Sequence, residues 1–215
     1  MPRFLTAEEK QQKYNLIFGN AVDMFDHMLF REITMSKLAK KCNIAKGTIF
    51  KYFKTKENLF SFILYSEYDA WVKEETEALN SHEKFTKEEF LEFTQIRTRE
   101  IFEKHTRLVR LTSIKRTILD KNIEPELYAS LVNKFTEQMR GVAELASSKT
   151  PAITLEKMFS LYEAWHMAVV GSYNLGMSQE NIQKMKDVGI ENVHTIDVAE
   201  TALRSVSYYI KGLIF

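Results

Sequence analysis

The sequence has little of what would interrupt or crosslink a helical chain. It contains seven glycines, three prolines and one cysteine among 215 residues. A single cysteine, Cys42, excludes an internal disulfide and fits a reducing compartment. Because glycine and proline are scarce and helix-forming residues are abundant, the composition predicts an all-α protein.

Long hydrophobic runs are also absent. The N-terminal stretch has no apolar signal core, and every apolar run is far shorter than the ~20 residues that span a membrane. We therefore expect a soluble, cytoplasmic protein.

Motifs of catalysis and metal binding are missing as well. The sequence has no glycine-rich phosphate loop, no nucleophile elbow and no zinc motif. Its five histidines are far apart in the chain: His27, His82, His105, His166 and His194. We expect no cofactor, no metal and no enzymatic activity.

The charges are unevenly distributed. Residues 34–58 hold seven lysines and one acid, Glu57, and carry a net charge of +6. Since the whole chain carries +1, the remainder carries −5. A basic stretch in a near-neutral chain indicates a local contact with a polyanion, although such a stretch also occurs as a solvated face.

The same stretch predicts two short helices joined by a tight turn. Thr34 can cap the first helix, which buries Leu38, and Asn43 tolerates the left-handed backbone that such a turn often requires. The second helix, over 46–53, buries Ile49. Its other side suits the major groove of DNA, where lysines meet phosphates or base edges and apolar groups meet thymine methyls. That side carries Lys46, Thr48, Phe50, Lys51 and Tyr52.

Residues 44–53, Ile-Ala-Lys-Gly-Thr-Ile-Phe-Lys-Tyr-Phe, followed by Thr55-Lys56-Glu57, resemble the TetR family of transcriptional regulators. The resemblance covers about residues 10–60. It implies an N-terminal three-helix DNA-binding domain with a helix-turn-helix at residues 1–55 and a fourth helix, at about 55–80, that connects. It also implies a larger C-terminal helical domain for ligand binding and dimerisation at residues 56–215.

The resemblance also assigns DNA contacts by position. It implies that Thr34 and Lys56 contact phosphates at helix starts and that Tyr52 packs against the DNA backbone. The residues expected to face the groove are Lys46, Gly47, Thr48, Phe50 and Lys51. The sequence departs from the family pattern at three positions: Asn43 replaces a turn glycine, Ala45 replaces a hydroxyl cap, and Phe50 replaces a tyrosine.

Helix signals continue along the rest of the chain. Capping boxes begin the first helix at Thr6 and the fifth at Thr86, where Phe85 adds a hydrophobic staple. A sixth helix is predicted over 107–119, and Pro125 suits the first turn of a seventh. Later helices are predicted at 153–175, after a start signal at Thr150-Pro151, and at 196–213, with a polar connector between them.

The C-terminal region offers candidates for two kinds of surface. A pocket lined by aromatic and Met side chains with a few polar groups suits a flat apolar ligand, although most such residues are ordinary core. The ligand candidates are Phe62, Tyr65, Phe93, Arg97, Thr112, Phe135, Met139, Tyr162 and His166. Apolar stripes on the last two long helices suit a twofold four-helix bundle, or the core of one chain. The dimer candidates are Leu161, Trp165, Ala168, Ser172, Leu203, Val206 and Ile210.

These patterns predict a sequence-specific DNA-binding regulator. We expect a dimeric repressor that binds a double-stranded operator and is released by a small apolar or aromatic effector. Tighter DNA binding on ligand binding, and activation in place of repression, are also compatible with the sequence. The alternative is a helical interaction module or ligand carrier whose lysines serve only solubility.

Overall fold

The computed structural model describes residues 6–176 and 178–214. Met1–Leu5, which belong to the stretch expected to lack a signal sequence, lie outside the described residues, as do Met177 and Phe215. Every regular element in the described part is helical, which confirms the all-α class. The helices are α1 Ala7–His27, α2 Met35–Lys41, α3 Lys46–Phe50, α4 Lys56–Asn80, α5 Lys87–Lys104, α6 Thr106–Ile114, α7 Pro125–Lys149, α8 Leu155–Leu175, α9 Gln179–Asp187 and α10 Val198–Ile214.

Local side-chain chemistry fixes several helix starts. The hydroxyl of Thr6 accepts from the Glu9 amide, and the Glu9 carboxylate accepts from the Thr6 amide, which completes a capping box. Thr86 and Glu89 repeat the arrangement at α5. Pro125 is the first residue of α7. These predictions of helix starts are confirmed. The sequence could predict them because each depends only on neighbours within about one turn.

Three helix boundaries differ from the expectation, the first of which is the end of α3, at Phe50 and not at residue 53. Thr150 and Pro151 form a turn, and the cap of α8 is Thr154, whose hydroxyl accepts from the Lys157 amide. The sixth helix is α-helical over Thr106–Ile114 and then changes to a π-helical turn at Lys115–Leu119. A π turn inserts an extra residue into the hydrogen-bond ladder, which hydrophobic spacing alone does not reveal.

The chain divides into two compact units. The first contains the residues up to Glu67 together with Ile114–Val132, and the second contains Tyr68–Ser113 and the residues from Asn133 onward. In the first unit α1, α2 and α3 enclose a core of large apolar side chains: Ile17, Phe25, Leu38, Ile49, Phe53 and Phe60. In the second unit α10 packs against α8 and α5. None of the described helices combines the length and the hydrophobicity that a membrane-spanning segment requires.

Candidate DNA-binding surface and effector cavity

The turn between α2 and α3 has a left-handed residue at its centre. Asn43 has φ of 52°, which confirms the conformation expected of it. The Asn43 amide donates to the Lys40 carbonyl, and the Ile44 amide donates to the Ala39 carbonyl at 3.1 Å. These two bonds form a Schellman motif, which satisfies the last carbonyls of α2. The chain therefore turns sharply into α3 without the usual glycine.

Helix α3 has one buried side and one open side. Ile49 is fully buried, whereas Phe50 is 42% exposed although it is large and apolar. Lys46 and Lys51 are exposed, and Thr48 is half-buried. Tyr52, just after α3, is also half-buried. At Ala45, which caps α3, no side chain accepts a hydrogen bond, because alanine has no hydroxyl.

Gly47 lies at the start of this open side. A Cβ atom added at Gly47 would meet no atom of the chain within 4 Å. Among the described residues, no part of the chain therefore packs against Gly47.

The lysines of the basic stretch differ in how far their charge is compensated. Lys41 pairs with Asp23 and Lys54 pairs with Glu124. Among the described residues, no carboxylate lies within ion-pair distance of Lys46 or Lys51. Lys37 and Lys40 on α2 are exposed and likewise have no carboxylate partner among the described residues, so the uncompensated positive charge extends over α2 and α3. Thr34 is exposed at the start of α2, where its hydroxyl accepts from the Lys37 amide.

Lys56 has a structural role that its sequence position did not predict. Its ammonium donates to the carbonyls of Phe30 at 2.9 Å and Ile33 at 3.0 Å, and it lies 3.9 Å from the centre of the Phe30 ring. Burial lowers the pKa of Lys56. The side chain thereby fastens the start of α4 to the 3₁₀ turn at Phe30–Glu32.

Replacing Lys56 by methionine should lower the free energy of unfolding by about 1–3 kcal/mol, because two carbonyls lose a charged hydrogen-bond donor. Lys51→Met is the matched control and should change stability by less than about 0.5 kcal/mol, since Lys51 is exposed. Urea denaturation followed by circular dichroism measures both. Equal stability of the two variants would limit Lys56 to a role at DNA.

The second unit contains a small cavity between α4, α5 and α8. Its volume is about 20 Å³, counted as the space that the centre of a water molecule can occupy. This is enough for roughly one ordered water. Its walls are mainly aromatic, with one acid and one base, and consist of Trp71, Glu75, Phe90, Phe93, Thr94, Arg97, Leu161, Tyr162 and Trp165. The rings of Trp71 and Trp165 stack, with centroids 5.4 Å apart and planes 14° apart. An effector larger than water must move these side chains to enter.

The acid and the base of the cavity form a buried ion pair. Arg97 Nε donates to Glu75 Oε2 at 2.7 Å, and Arg97 Nη1 also pairs with Glu100. Glu75 is 3% exposed. Burial raises the pKa of Glu75, although Arg97 opposes the shift. Burial disfavours the charge of Arg97, but Glu75 and Glu100 outweigh it and raise the pKa of Arg97.

The cavity brings together three of the nine predicted ligand residues, Phe93, Arg97 and Tyr162. The other six are not among its lining residues. Phe62 contacts the Phe53 ring edge-on in the first unit, and Tyr65 is buried in that unit. Thr112 shares a 3.1 Å hydrogen bond with the Tyr68 hydroxyl, and the rings of Phe135 and Tyr68 have centroids 4.1 Å apart. Met139 is half-buried, and His166 is exposed.

The predicted dimer residues are largely used within one chain. Leu161 and Trp165 line the cavity, and Trp165 Nε1 donates to Thr98 at 3.0 Å. Ala168 is half-buried. The remaining four are buried within a single chain, and they are Ser172, Leu203, Val206 and Ile210. Their apolar stripes correspond to the packing of α10 against α8 and α5, so these side chains offer little surface to a second copy.

Sequence reasoning assigned four wall residues to no site, namely Trp71, Glu75, Phe90 and Thr94, and placed two others, Leu161 and Trp165, in the dimer surface. A signal existed for Glu75, since an acid between apolar positions of a long helix is rarely buried without a function. Its partner Arg97 is 22 positions later, so the pair is not visible from spacing.

An exposed recognition helix after a left-handed turn, next to uncompensated lysines, defines a helix-turn-helix DNA-binding protein. The N-terminal part, residues 18–62, matches the family model described as bacterial regulatory proteins, tetR family. Residues 65–215 match the model described as tetracyclin repressor-like, C-terminal domain. The chain belongs to the TetR family, and it is a ligand-responsive DNA-binding transcriptional regulator.

Solved structures share this fold. A TetR-family transcriptional regulator from Mesorhizobium loti aligns over 97% of both chains with a TM-score of 0.59 and 15% identity. The fatty acid degradation regulator FadR from Bacillus halodurans aligns over 98% of both chains with a TM-score of 0.55 and 16% identity. No curated protein matches the sequence. TetR-family regulators in general bind operator DNA, dimerise, respond to small molecules and are not enzymes.

Proposed function

We propose that this protein is a dimeric repressor that a small apolar or aromatic molecule releases from its operator. The observation that carries the proposal is the open side of α3, where Lys46, Phe50 and Lys51 are exposed and neither lysine has a carboxylate partner among the described residues. Exposed lysines interleaved with an aromatic ring are poorly explained by solvent alone and suit the major groove.

The individual contacts follow from this placement of α3. Lys46 and Lys51 would contact phosphates or guanine acceptors, and Thr48 and Phe50 would contact base edges or thymine methyls. Gly47 would let the helix start approach the DNA backbone closely. Three further contacts are to the DNA backbone: Thr34 and Lys56 to phosphates and Tyr52 by packing. Two of the three ammonium hydrogens of Lys56 already bond carbonyls, which leaves one for a phosphate.

The effector would bind in the cavity of the second unit and act by linkage. A ligand that binds more tightly to a form with misplaced recognition helices must weaken operator binding, and about 2.8 kcal/mol of coupling would weaken it a hundredfold. Helix α4 carries both Lys56 and two cavity residues, Trp71 and Glu75, so one continuous helix connects the two activities along the chain. We propose that the protein acts by binding alone, without catalysis, and in the cytoplasm, where operator DNA is found.

We place the dimer surface on the outward faces of α8 and α10. These helices carry large apolar side chains that are exposed in the described chain: Phe159, Met167, Tyr208 and Tyr209. Met167 is 66% and Tyr208 is 72% exposed. Exposed apolar side chains that cluster on neighbouring helices mark an interface more often than scattered ones do.

A charge on this face should break the dimer. Met167→Glu with Tyr208→Glu should shift the protein to monomer and raise the dimer dissociation constant by about a hundredfold or more, since each carboxylate would be buried unpaired. Leu16→Glu, at an exposed apolar position of α1, is the matched control and should stay dimeric. Sedimentation velocity measures the oligomeric state of both variants. A double variant that remained dimeric would refute this interface.

Repression is tested by transcription in vitro. The purified chain should lower transcript yield from a template that carries its operator beside the promoter, and should leave a template without the operator unaffected. A rise in transcript would instead identify an activator. If the chain neither binds nor affects any template, the proposal fails and an interaction module or ligand carrier remains.

A further inference from the structure

We propose that the cavity of the second unit recognises a small aromatic molecule carrying one positive charge, whose cationic group pairs with Glu75 while its ring packs among the aromatic walls. This inference rests on the proposed function, because it names the class of effector that the cavity would take. It depends on three features of the cavity: its rings, the position of its acid and the arrangement of its base.

The first feature is the aromatic wall. Five of the nine lining residues are aromatic, namely Trp71, Phe90, Phe93, Tyr162 and Trp165. The faces of aromatic rings carry negative electrostatic potential, so they attract cations and repel anions. A wall of this kind binds an apolar cation better than it binds a carboxylate of equal size.

The second feature is that Glu75 is less compensated than Arg97. Among the described residues Glu75 receives one hydrogen bond, from Arg97, whereas Arg97 has carboxylates on two sides, Glu75 and Glu100. A ligand cation can therefore pair with Glu75 while Arg97 remains paired with Glu100. An anion would have to displace Glu75 from Arg97 and would leave a buried carboxylate unpaired, which is costly.

The third feature is the electrostatic field inside the cavity. The pKa of Tyr162 is raised well above its usual value, first by burial and then by the charge of Glu75, which outweighs the opposing effect of Arg97. The carboxylate thus dominates the potential at the Tyr162 hydroxyl. The stronger effect of Glu75 at this wall residue agrees with the other two features.

Lys104 completes the charge arrangement outside the cavity. It pairs with Glu100 and its side chain is 57% exposed, so it neutralises Glu100 at the surface. Neither Glu100 nor Lys104 lines the cavity. Glu100 is therefore the carboxylate that stays with Arg97 when a cation pairs with Glu75, although it lies outside the cavity wall.

Three probes of nearly equal shape test the charge class on the full chain. They are benzyltrimethylammonium, its uncharged carbon isostere neopentylbenzene, and the anion phenylmethanesulfonate. The two tryptophans of the sequence, Trp71 and Trp165, both line the cavity, so tryptophan fluorescence reports this site alone. Titration of N-acetyltryptophanamide corrects for collisional quenching.

We expect benzyltrimethylammonium to bind at least about tenfold more tightly than either of the other probes. Glu75→Gln should weaken binding of the cation about tenfold or more and leave binding of neopentylbenzene unchanged. Glu100→Gln should also weaken binding of the cation, since Arg97 would then have no carboxylate once the cation pairs with Glu75. Glu92→Gln is the control: it removes an exposed carboxylate of α5 outside the wall and should change binding of the cation by less than about threefold. The comparison of the three probes on the unaltered chain holds even if Glu75→Gln folds poorly.

Other outcomes overturn the inference. Equal or tighter binding of neopentylbenzene or phenylmethanesulfonate, or no binding of any probe, would refute a cation site. A gel shift with operator DNA, run in parallel without probe, tests the proposed DNA-binding function separately. DNA binding without cation preference would refute this inference alone, whereas loss of both would refute the proposed function too.

Discussion

Replacing Lys46 and Lys51 together by alanine should weaken binding to operator DNA by at least about a hundredfold. Each lysine removed costs about 1.4 kcal/mol per protomer, which corresponds to tenfold. The variant should also flatten the salt dependence, by about 0.9 in the logarithmic slope for each DNA phosphate that a lysine no longer neutralises. Fluorescence anisotropy across a salt series measures both quantities.

The control for this variant is Lys73→Ala with Lys84→Ala, two exposed lysines of the second unit. It removes the same charge from the chain, so it separates a local contact from a general effect of net charge. We expect it to bind within about threefold of the unaltered protein. If the Lys46 and Lys51 variant bound operator DNA as tightly as the unaltered protein, α3 would not be the recognition helix.

Replacing Arg97 by methionine should destabilise the second unit by about 3–5 kcal/mol at neutral pH, because Glu75 would remain buried and unpaired. Replacing Arg97 and Glu75 together by methionine and leucine should recover most of that loss, since no charge is then left in the wall. Chemical denaturation of the two variants measures the difference directly.

The loss of stability caused by Arg97→Met should depend on pH. Burial already raises the pKa of Glu75, and without Arg97 nothing in the pair opposes it, so the folded-state pKa rises further above the ordinary value of 4.5. A carboxyl with a raised folded pKa binds its proton more tightly in the folded state, so stability is greatest below the unfolded pKa and is lost as pH rises through the folded pKa. The deficit of Arg97→Met should therefore shrink between neutral pH and about pH 5. A pH-independent deficit would show that the charge of Glu75 is not its cause.

The sequence predicted best what depends on a few neighbouring residues. The capping boxes at Thr6 and Thr86 and the left-handed turn at Asn43 are each determined within about one helical turn, and all are confirmed. Their energetics involve local hydrogen bonds and backbone preferences, which the residues themselves carry.

The cavity could not be predicted in this way, because three helices far apart in the sequence build it. Helix α4 buries residues on more than one face, so its hydrophobic period does not show which neighbour each residue meets. Trp165 illustrates the difficulty. An apolar stripe on a helix looks the same whether it faces another protomer or, as Trp165 does, the ring of Trp71 in the same chain.

Lys56 has structural contacts that the family pattern did not reveal. The family pattern explained it as a phosphate contact, and the structure adds carbonyl partners at Phe30 and Ile33. A lysine ammonium has three hydrogens, so the two roles are compatible, and a loss of DNA binding in a Lys56 variant would not separate them. Lys46 and Lys51 are the better tests because no carboxylate within the described chain pairs with either.

The most direct test of the account is a selection of DNA sequences from a random pool of duplexes by the purified chain. A dimer that presents two copies of α3 should enrich an inverted repeat whose half-sites lie on one face of the DNA. The Lys46 and Lys51 double variant should enrich nothing from the same pool. Failure of the unaltered chain to enrich any sequence, or enrichment of the same repeat by the double variant, would contradict the account.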